Sequence, residues 1–245
     1  MKILDHIPFF LNEAYLYDIV SCHYQIFKKY NLNTENIDNM NKLERNTFIG
    51  KLMRNNSNLI SFLRTITNDS IDIFIEDNCI DSSDIILRQY DGIITDKYYR
   101  ETEKNNEGII PELRCTFQPL IISSDRKSYI AIDENDNITI KGISNKYDYL
   151  TKIYRKILKI NYANLECIFR NLQKIKDDLY NENNLLYFCI PERDNKFSVY
   201  LKYYGITEIS KSTIKMLSKN DINIDTYFDL YIKPFTEAIT ISFLK

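Results

Sequence analysis

The stretch AYLYDIVSCHYQIF, residues 14–27, places one carboxylate, Asp18, inside an otherwise apolar and aromatic segment. Residues 14–19 have the composition of a β-strand. A charge in such a segment costs several kcal/mol unless it is paired or bound to a metal ion. Two explanations are open at this point: Asp18 caps a helix that begins at Ile19, or it holds a metal ion.

The length and composition are those of an ordinary globular chain, long enough for one large domain or two small ones. It has 245 residues and a net charge of −2, which argues against a generally basic coat but not against local basic patches. The five cysteines form no CxxC or Cys/His cluster, which predicts reduced thiols in a cytoplasmic protein. The N-terminus lacks a secretory pattern and no apolar run approaches a membrane span, so we predict neither secretion nor membrane contact.

The pattern along the chain changes from strand to helix and back to strand. After a polar stretch through Asn39, helical periodicity is predicted for residues 41–54 and for residues 57–77, with a break near Asn68. The segment DIILRQYDGIITD, residues 84–96, predicts a hairpin with Tyr90 and Asp91 at its tip.

The second half of the chain predicts further strands and then helices. Residues 113–142 alternate and contain turn signals, whereas residues 147–180 are helical and rich in basic residues. The tail is mixed, with short helices expected around 211–219 and 226–241. This order of elements predicts an α+β fold rather than an alternating α/β fold.

Asp18 on a strand and Asp91 at a hairpin tip, with a basic helix between them, form the set that phosphoryl transfer to a nucleotide requires. Two carboxylates on adjacent strands can share two Mg²⁺ ions, and a cationic helix can hold a triphosphate. Each residue also has a structural explanation. Asp18 could be a cap or an ion-pair partner, Asp91 an ordinary turn residue, and Lys42 a solvated helix charge.

The segment DIVSCHYQI resembles motif A of family B DNA polymerases, commonly D-x-x-S-L-Y-P-S-I. Asp18, Ser21 and Ile26 stand at matching offsets. His23 stands where that motif carries the tyrosine that excludes a ribose 2′-hydroxyl group.

Two further segments are similar to the other polymerase motifs of that family. KLERNTFIG (42–50) resembles motif B, K-x-x-x-N-S-x-Y-G, with Lys42, Asn46 and Gly50 matching. QYDGI (89–93) is similar to the end of motif C, D-T-D-S, with Asp91 at the second acidic position and Gln89 at the first.

The resemblance covers nearly the whole chain, from about residue 14 to residue 242. The segment from Asp125 onward resembles the family's K-x-Y hairpin, with Lys127 and Tyr129 matching, and INIDTYFDLYIKPFTEAI resembles the end of its thumb. The resemblance implies a palm with minimal fingers at residues 1–145 (fingers about 41–67, primer-template hairpin about 113–142). It also implies a thumb-like region at residues 146–245.

What the resemblance implies for individual residues follows from these matches. Asp18 and Asp91 would be the catalytic residues and ligate two Mg²⁺ ions, with Mn²⁺ as an alternative. The incoming nucleotide would be bound by the residues Ser21, Cys22, His23, Lys42 and Asn46. The primer-template would be bound by the residues Lys127, Tyr129, Lys152 and Lys156.

The resemblance therefore implies a compact viral or mobile-element DNA polymerase that extends a DNA primer-template with dNTPs. His23 leaves NTPs open as substrates. The short distance between Asp18 and Lys42 leaves little room for fingers, so a second protein would supply exonuclease, fingers or processivity functions. Three alternatives remain: a catalytically degenerate scaffold or processivity subunit, a primase-like enzyme, and a module that only binds nucleic acid.

Overall fold

The computed structural model describes residues 2–3, 8–32, 37–100, 109–143, 148–192, 194 and 196–244. Its strands are β1 (Lys2–Ile3), β2 (Phe10–Leu11), β3 (Ala14–Asp18), β4 (Ile85–Arg88), β5 (Gly92–Thr95), β6 (Glu112–Ile122), β7 (Tyr129–Asp133), β8 (Ile138–Lys141), β9 (Cys189–Pro191), β10 (Lys196–Leu201) and β11 (Gly205–Ser210). Its α-helices are α1 (Cys22–Lys29), α2 (Lys42–Arg54), α3 (Ser57–Asp77), α4 (Asp148–Leu158), α5 (Leu165–Asn181), α6 (Lys211–Ile214), α7 (Ile224–Tyr231) and α8 (Lys233–Phe243). The protein is therefore an α+β protein, as the sequence predicts.

The chain divides into two compact units, and the boundary falls inside strand β6. The first unit consists of Met1–Ile7 and Glu13–Phe117, and the second consists of Pro8–Asn12 and Gln118–Lys245. Within the described residues, no helix is long and apolar enough to cross a membrane.

In the first unit, β3 is the central strand of an antiparallel sheet. It pairs with β5 on one side and with the first part of β6 on the other, and β4 and then β1 follow β5. Helices α1, α2 and α3 share one hydrophobic core with this sheet. Its largest fully buried side chains include Tyr17, Phe27 and Phe74.

In the second unit, the end of β6 pairs with β2 and is followed by β7 and β8. A separate antiparallel sheet is formed by β9, β10 and β11. The helices α4 to α8 pack with these strands around a second core, in which Tyr154, Phe188 and Phe235 are fully buried. Tyr154 donates a hydrogen bond of 2.7 Å to the Tyr231 carbonyl oxygen, which satisfies a hydroxyl group that burial would otherwise penalise.

Several boundaries differ from the sequence predictions, and each has a local reason. Helix α1 lies inside the predicted polar stretch, because Cys22, Ile26 and Phe27 bury one short face. Helix α3 is continuous through Asn68, because Asn68 and Asp69 lie on its exposed side while Leu63, Ile71 and Phe74 are buried.

Two of the predicted helical regions of the second half are each divided in two, whereas the helix expected around 211–219 extends only over Lys211–Ile214. Asn164 caps α5 by accepting a hydrogen bond of 3.0 Å from the Cys167 N–H, so the helical region 147–180 is interrupted before it. Pro234 stands in the first turn of α8, a position that proline favours, so the region 226–241 contains the end of α7 and a new helix.

Candidate active site

The end of strand β3 brings Asp18 close to Asp91. Asp18 is the last residue of β3 and pairs with Gly92, the first residue of β5. The Ile19 N–H donates a hydrogen bond of 2.8 Å to the Asp91 carbonyl oxygen. The helix after β3 begins at Cys22 and not at Ile19, so Asp18 is not its cap. The two aspartates therefore lie at the same end of neighbouring strands.

Gly92 permits this close approach. A Cβ atom built on Gly92 would lie 2.2 Å from the Tyr17 carbonyl oxygen and 3.2 Å from Asp18 Oδ1. Real Cβ atoms do not come this close to backbone atoms, since packed protein interiors leave no room for such overlap. Glycine at this position is therefore a steric requirement of the strand pair that carries both carboxylates.

Helix α1 places its N-terminus directly after Asp18. Ser21 adopts a left-handed conformation with φ of 52° and forms no side-chain cap. The first helical hydrogen bond runs from the Gln25 N–H to the Ser21 carbonyl oxygen, 3.1 Å. The N–H groups of Cys22, His23 and Tyr24 precede it, and together with the helix dipole they favour a bound anion.

Helix α2 brings Lys42 and Asn46 to the same site. It begins with a capping box in which Asn41 accepts from the Glu44 N–H and the Glu44 carboxylate accepts from the Asn41 N–H. Lys42 and Asn46 stand four residues apart and so share one face of this helix. Among the described residues, none forms an ion pair with Lys42.

These elements enclose one cavity of about 420 Å³. Its lining residues are Asp18, Ile19, Ser21, Cys22, His23, Tyr24, Lys42, Asn46, Ile49, Gly50, Met53 and Asp91. The cavity thus gathers every residue that the motifs single out for metal or nucleotide binding, from three separate stretches of sequence. Tyr24 and Met53 also line it, although the motif comparison did not select them.

A chain of polar contacts links Tyr90, in the turn between β4 and β5, to helices α1 and α3. His23 Nε2 lies 3.4 Å from the Tyr90 hydroxyl oxygen, and that hydroxyl group also hydrogen-bonds the Thr67 side chain. Thr67 is fully buried and contacts Cys22 Sγ at 3.3 Å. Sequence reasoning missed Thr67, because nothing in its local pattern indicates a contact with residues so distant along the chain.

Burial and the two carboxylates set the ionisation of the neighbouring groups. Burial raises the pKa of the Cys22 thiol, the hydrogen bond with Thr67 opposes this, and the charges of Asp91 and Asp18 raise the pKa further. Burial lowers the pKa of the His23 imidazole below its usual range, against the opposing charge of Asp91. The thiol and the imidazole are therefore both neutral at pH near 7.

The candidate metal-binding side chains of the cavity are the carboxylates of Asp18 and Asp91. Within the residues that the structure describes, no group of three or more His, Cys, Asp or Glu side chains is arranged to hold a metal ion. Mg²⁺ is usually bound by one or two carboxylates together with substrate phosphates and water, rather than by an all-protein cage. Asp18 and Asp91 meet that description. Glu112, which sequence reasoning did not single out, is the register partner of Asp18 on the other side of β3.

The four residues predicted to bind the primer-template all belong to the second unit. Lys127 is exposed in the loop after β6 and lies 3.9 Å from an Asp125 carboxylate oxygen. Tyr129 is only 1% exposed, because it is the first residue of β7 and its ring packs in the protein interior. This corrects the expectation for Tyr129, since a ring buried in the core is not available to contact nucleic acid.

Lys152 and Lys156 lie on the exposed side of helix α4. The Lys152 ammonium group stands 6.0 Å from the centre of the Tyr187 ring. Lys156 donates a hydrogen bond of 2.8 Å to Asp178, so its charge is already compensated. The basic pattern of this helix therefore overstates the positive charge that it presents.

No protein-family model matches the sequence, and no curated protein matches it. Among the solved structures, the chain is similar to a family B DNA polymerase from the hyperthermophilic archaeon Pyrobaculum calidifontis. The TM-score is 0.48 and the sequence identity is 11%, over 97% of this chain. The chain spans 46% of the length of that polymerase.

Proposed function

We propose that this protein is a template-directed nucleotidyltransferase, a DNA polymerase that extends a primer. The observation that carries the proposal is the cavity of the first unit, which is lined by two carboxylates, an uncapped helix N-terminus and a lysine. These groups complement a nucleoside triphosphate with its magnesium ions. The residues that the motif resemblance selects are among those that line this cavity.

In this proposal, Asp18 and Asp91 hold two Mg²⁺ ions, with Mn²⁺ as an alternative. The ions would neutralise the phosphates and lower the pKa of the primer hydroxyl group. The strand pair keeps the two carboxylates together, and Gly92 allows their strands to approach. In this proposal, the bound cations also stabilise the Asp18 carboxylate at the end of an apolar strand.

The triphosphate would be bound by the other walls of the cavity. The N–H groups that begin helix α1 donate to phosphate oxygens, and the Lys42 ammonium group supplies a full positive charge. Asn46, one turn beyond Lys42, offers an amide to the same ligand. Ser21 turns the chain between Asp18 and the helix, so the metal and phosphate sites remain adjacent.

His23 would form the wall next to the sugar, with Tyr90 behind it. The imidazole ring is neutral and is held by the Tyr90 hydroxyl group at 3.4 Å. Histidine is smaller than tyrosine and can form hydrogen bonds, so both dNTPs and NTPs are candidate substrates.

The wider proposal assigns residues 1–145 to a palm with minimal fingers and residues 146–245 to a thumb. Lys127 and Lys152 are the exposed candidates for primer-template contact. A partner protein would supply the exonuclease, fingers or processivity functions. The cysteines Cys22, Cys79, Cys115, Cys167 and Cys189 are all free thiols, in keeping with a proposed cytoplasmic location.

The test is extension of a labelled primer on a DNA template with Mg²⁺ and either dNTPs or NTPs. Asp91→Asn keeps the size of the side chain and removes its charge. We expect it to lower the extension rate by at least about a thousandfold, because one shared metal ligand is lost. Asp69→Asn is the matched control, since Asp69 is exposed on helix α3 and does not line the cavity.

The same assay separates the alternatives. Wild-type extension rates in the Asp91→Asn variant would contradict the proposal. Nucleotide binding with no extension by the wild-type protein would favour a degenerate scaffold, which the presence of Gln89 at the first motif C position already suggests. Synthesis without a primer, with NTPs preferred, would favour a primase-like enzyme.

A further inference from the structure

The turn of the β10–β11 hairpin exposes a cluster of large side chains. Tyr203 is 86% exposed and Tyr204 is 79% exposed. Ile206, just beyond the turn, is 59% exposed. Adjacent tyrosines that are exposed to this extent add nothing to the hydrophobic core, and such patches commonly mark binding surfaces. We call Lys202, Tyr203, Tyr204 and Ile206 the hairpin tip.

The hairpin tip stands on a rigid base. β10 and β11 pair without interruption from Lys196–Ser210 to Leu201–Gly205. The Lys202 N–H donates a hydrogen bond of 2.9 Å to the Asp221 carbonyl oxygen, and the Asn223 N–H donates one of 2.7 Å to Tyr200. Leu201 forms a β-bridge with Ile222. The tyrosines are therefore displayed from a fixed backbone, which lowers the entropy cost of binding a ligand.

The segment around the hairpin tip is basic, although the whole protein has a net charge of −2. Glu208 is paired with Lys196 at 2.6 Å. Asp221 is the acidic neighbour of Lys202. The remaining cations, in chain order, are Lys211, Lys215 and Lys219.

These cations lie along the length of the hairpin. The segment that carries them starts beside the far end of the hairpin, where Ser210 pairs with Lys196. It returns to the turn, where Asp221 contacts Lys202. Six paired residues in an extended strand span about 20 Å. The segment that carries the lysines therefore runs alongside the hairpin over about this length.

From these features we propose that the hairpin tip binds single-stranded nucleic acid. Bases stack on Tyr203 and Tyr204, and the phosphates that follow run past Lys202 and the lysines of the returning segment. Exposed aromatic rings beside a positively charged track are the two features by which proteins bind single strands without sequence preference. In duplex nucleic acid the faces of the bases are covered by their neighbours, so stacking selects the single strand.

The inference does not rest on the proposed nucleotidyl transfer. All of its residues belong to the second unit, and none lines the cavity of the first. It applies equally if the protein is a scaffold that carries out no chemistry.

The test measures binding of the full-length protein to a fluorescent oligo(dT) of about twelve nucleotides and to a duplex of the same length. We expect the single strand to bind more tightly. In the variant Tyr203→Ala/Tyr204→Ala, we expect the single-strand affinity to fall at least about tenfold, because base–aromatic stacking is lost. The variant Tyr203→Phe/Tyr204→Phe keeps the rings, and we expect it to bind like the wild type.

Two controls make the result specific. Tyr98→Ala removes a tyrosine that is 56% exposed in the first unit, and it should leave binding unchanged. Asp69→Asn, a charge change on the exposed side of helix α3, should also leave oligo(dT) binding unchanged. Lys202→Glu/Lys219→Glu should weaken binding and reduce its dependence on salt concentration.

Three results would overturn the inference. They are undetectable oligo(dT) binding by the wild type, wild-type affinity in the double alanine variant, and equal affinity for single strand and duplex. Stable association with a purified protein partner, lost in the double alanine variant while oligo(dT) binding persists, would instead make the hairpin tip a protein-binding surface.

Discussion

Helix α2 of the first unit, which carries Lys42, and helix α4 of the second unit both look cationic in the sequence, but their charges have different surroundings. In the cavity, Lys42 forms no ion pair with any residue that the structure describes. Arg155 on helix α4 and Lys159 just after it both pair with Asp136, and Lys156 on the helix pairs with Asp178. A run of basic residues therefore indicates a binding surface only when the structure leaves their charge uncompensated.

The two units also differ in the space around their glycines, since Gly92 is crowded by backbone atoms and Gly205 is not. This difference predicts the largest change in stability. Gly92→Ala should destabilise the first unit by about 3 kcal/mol or more, because the new methyl group overlaps the Tyr17 carbonyl oxygen. Gly205→Ala in the second unit should cost only about 1 kcal/mol, the strain of its φ of 65°, since open space surrounds its Cα. Urea denaturation of both variants measures the difference.

The glycine comparison has its own control in the first unit. Gly50 lies within helix α2 and nothing lies within 4 Å of an added Cβ atom. Gly50→Ala should therefore stabilise the protein, by about 0.5–1 kcal/mol. Equal urea midpoints for the Gly92 and Gly205 variants would show that the strand junction beside Asp18 is not sterically constrained.

The second prediction compares Lys42, which has no ion-pair partner among the described residues, with Lys156, which pairs with Asp178. Lys42→Ala should weaken binding of a fluorescent deoxynucleoside triphosphate about tenfold, since one charge-assisted contact is lost. Lys156→Ala should change the affinity for a DNA primer-template by less than about twofold, because Asp178 already compensates its charge. Fluorescence anisotropy measures both affinities.

Removing Asp178, the acidic partner of Lys156, tests directly whether the ion pair masks the charge of Lys156. Asp178→Asn releases the charge of Lys156 and should strengthen DNA binding if helix α4 lies near the nucleic acid. A tenfold loss of DNA affinity in Lys156→Ala would show instead that the ion pair opens when DNA binds.

The third and smallest prediction concerns acid stability, and it compares Asp84 with Asp136. Hydrogen bonds from Lys97 and then Tyr99 lower the pKa of Asp84 below 3.8. A hydrogen bond from Lys159 does the same for Asp136, followed by the charges of Lys159 and Arg155. For a lowered pKa, the added stability is present above the unfolded-state value and is lost as the pH falls through the folded-state pKa.

Asp84 should account for more of the acid sensitivity than Asp136. The Asp84 side chain is 10% exposed, whereas the Asp136 side chain is 59% exposed and its ion pairs are weakened by solvent. We therefore expect Asp84→Asn to reduce the loss of stability between about pH 7 and about pH 3 more than Asp136→Asn does. Urea midpoints at both pH values measure this, and the reverse order would contradict it.

Much of the fold could be predicted because its signals are local. The strand at residues 14–19, helix 41–54 and the hairpin at residues 84–96 all occur where the alternation and periodicity place them. The motif residues were chosen by their resemblance to short contiguous motifs of a known family, and not from alternation or periodicity. Helix α1 was missed because its buried face consists of only three residues within an aromatic segment.

The sequence by itself determined the element types, the α+β class and the candidate residues of the cavity, because these depend on neighbours within a few positions of the chain. Only the tertiary structure decided which distant residues meet. It paired Asp18 with Gly92 and Glu112, linked Thr67 to Cys22, buried Tyr129 and paired Lys156 with Asp178. Strand register and the packing of separate elements set these contacts, and a shift of one residue would reverse every side chain of a strand.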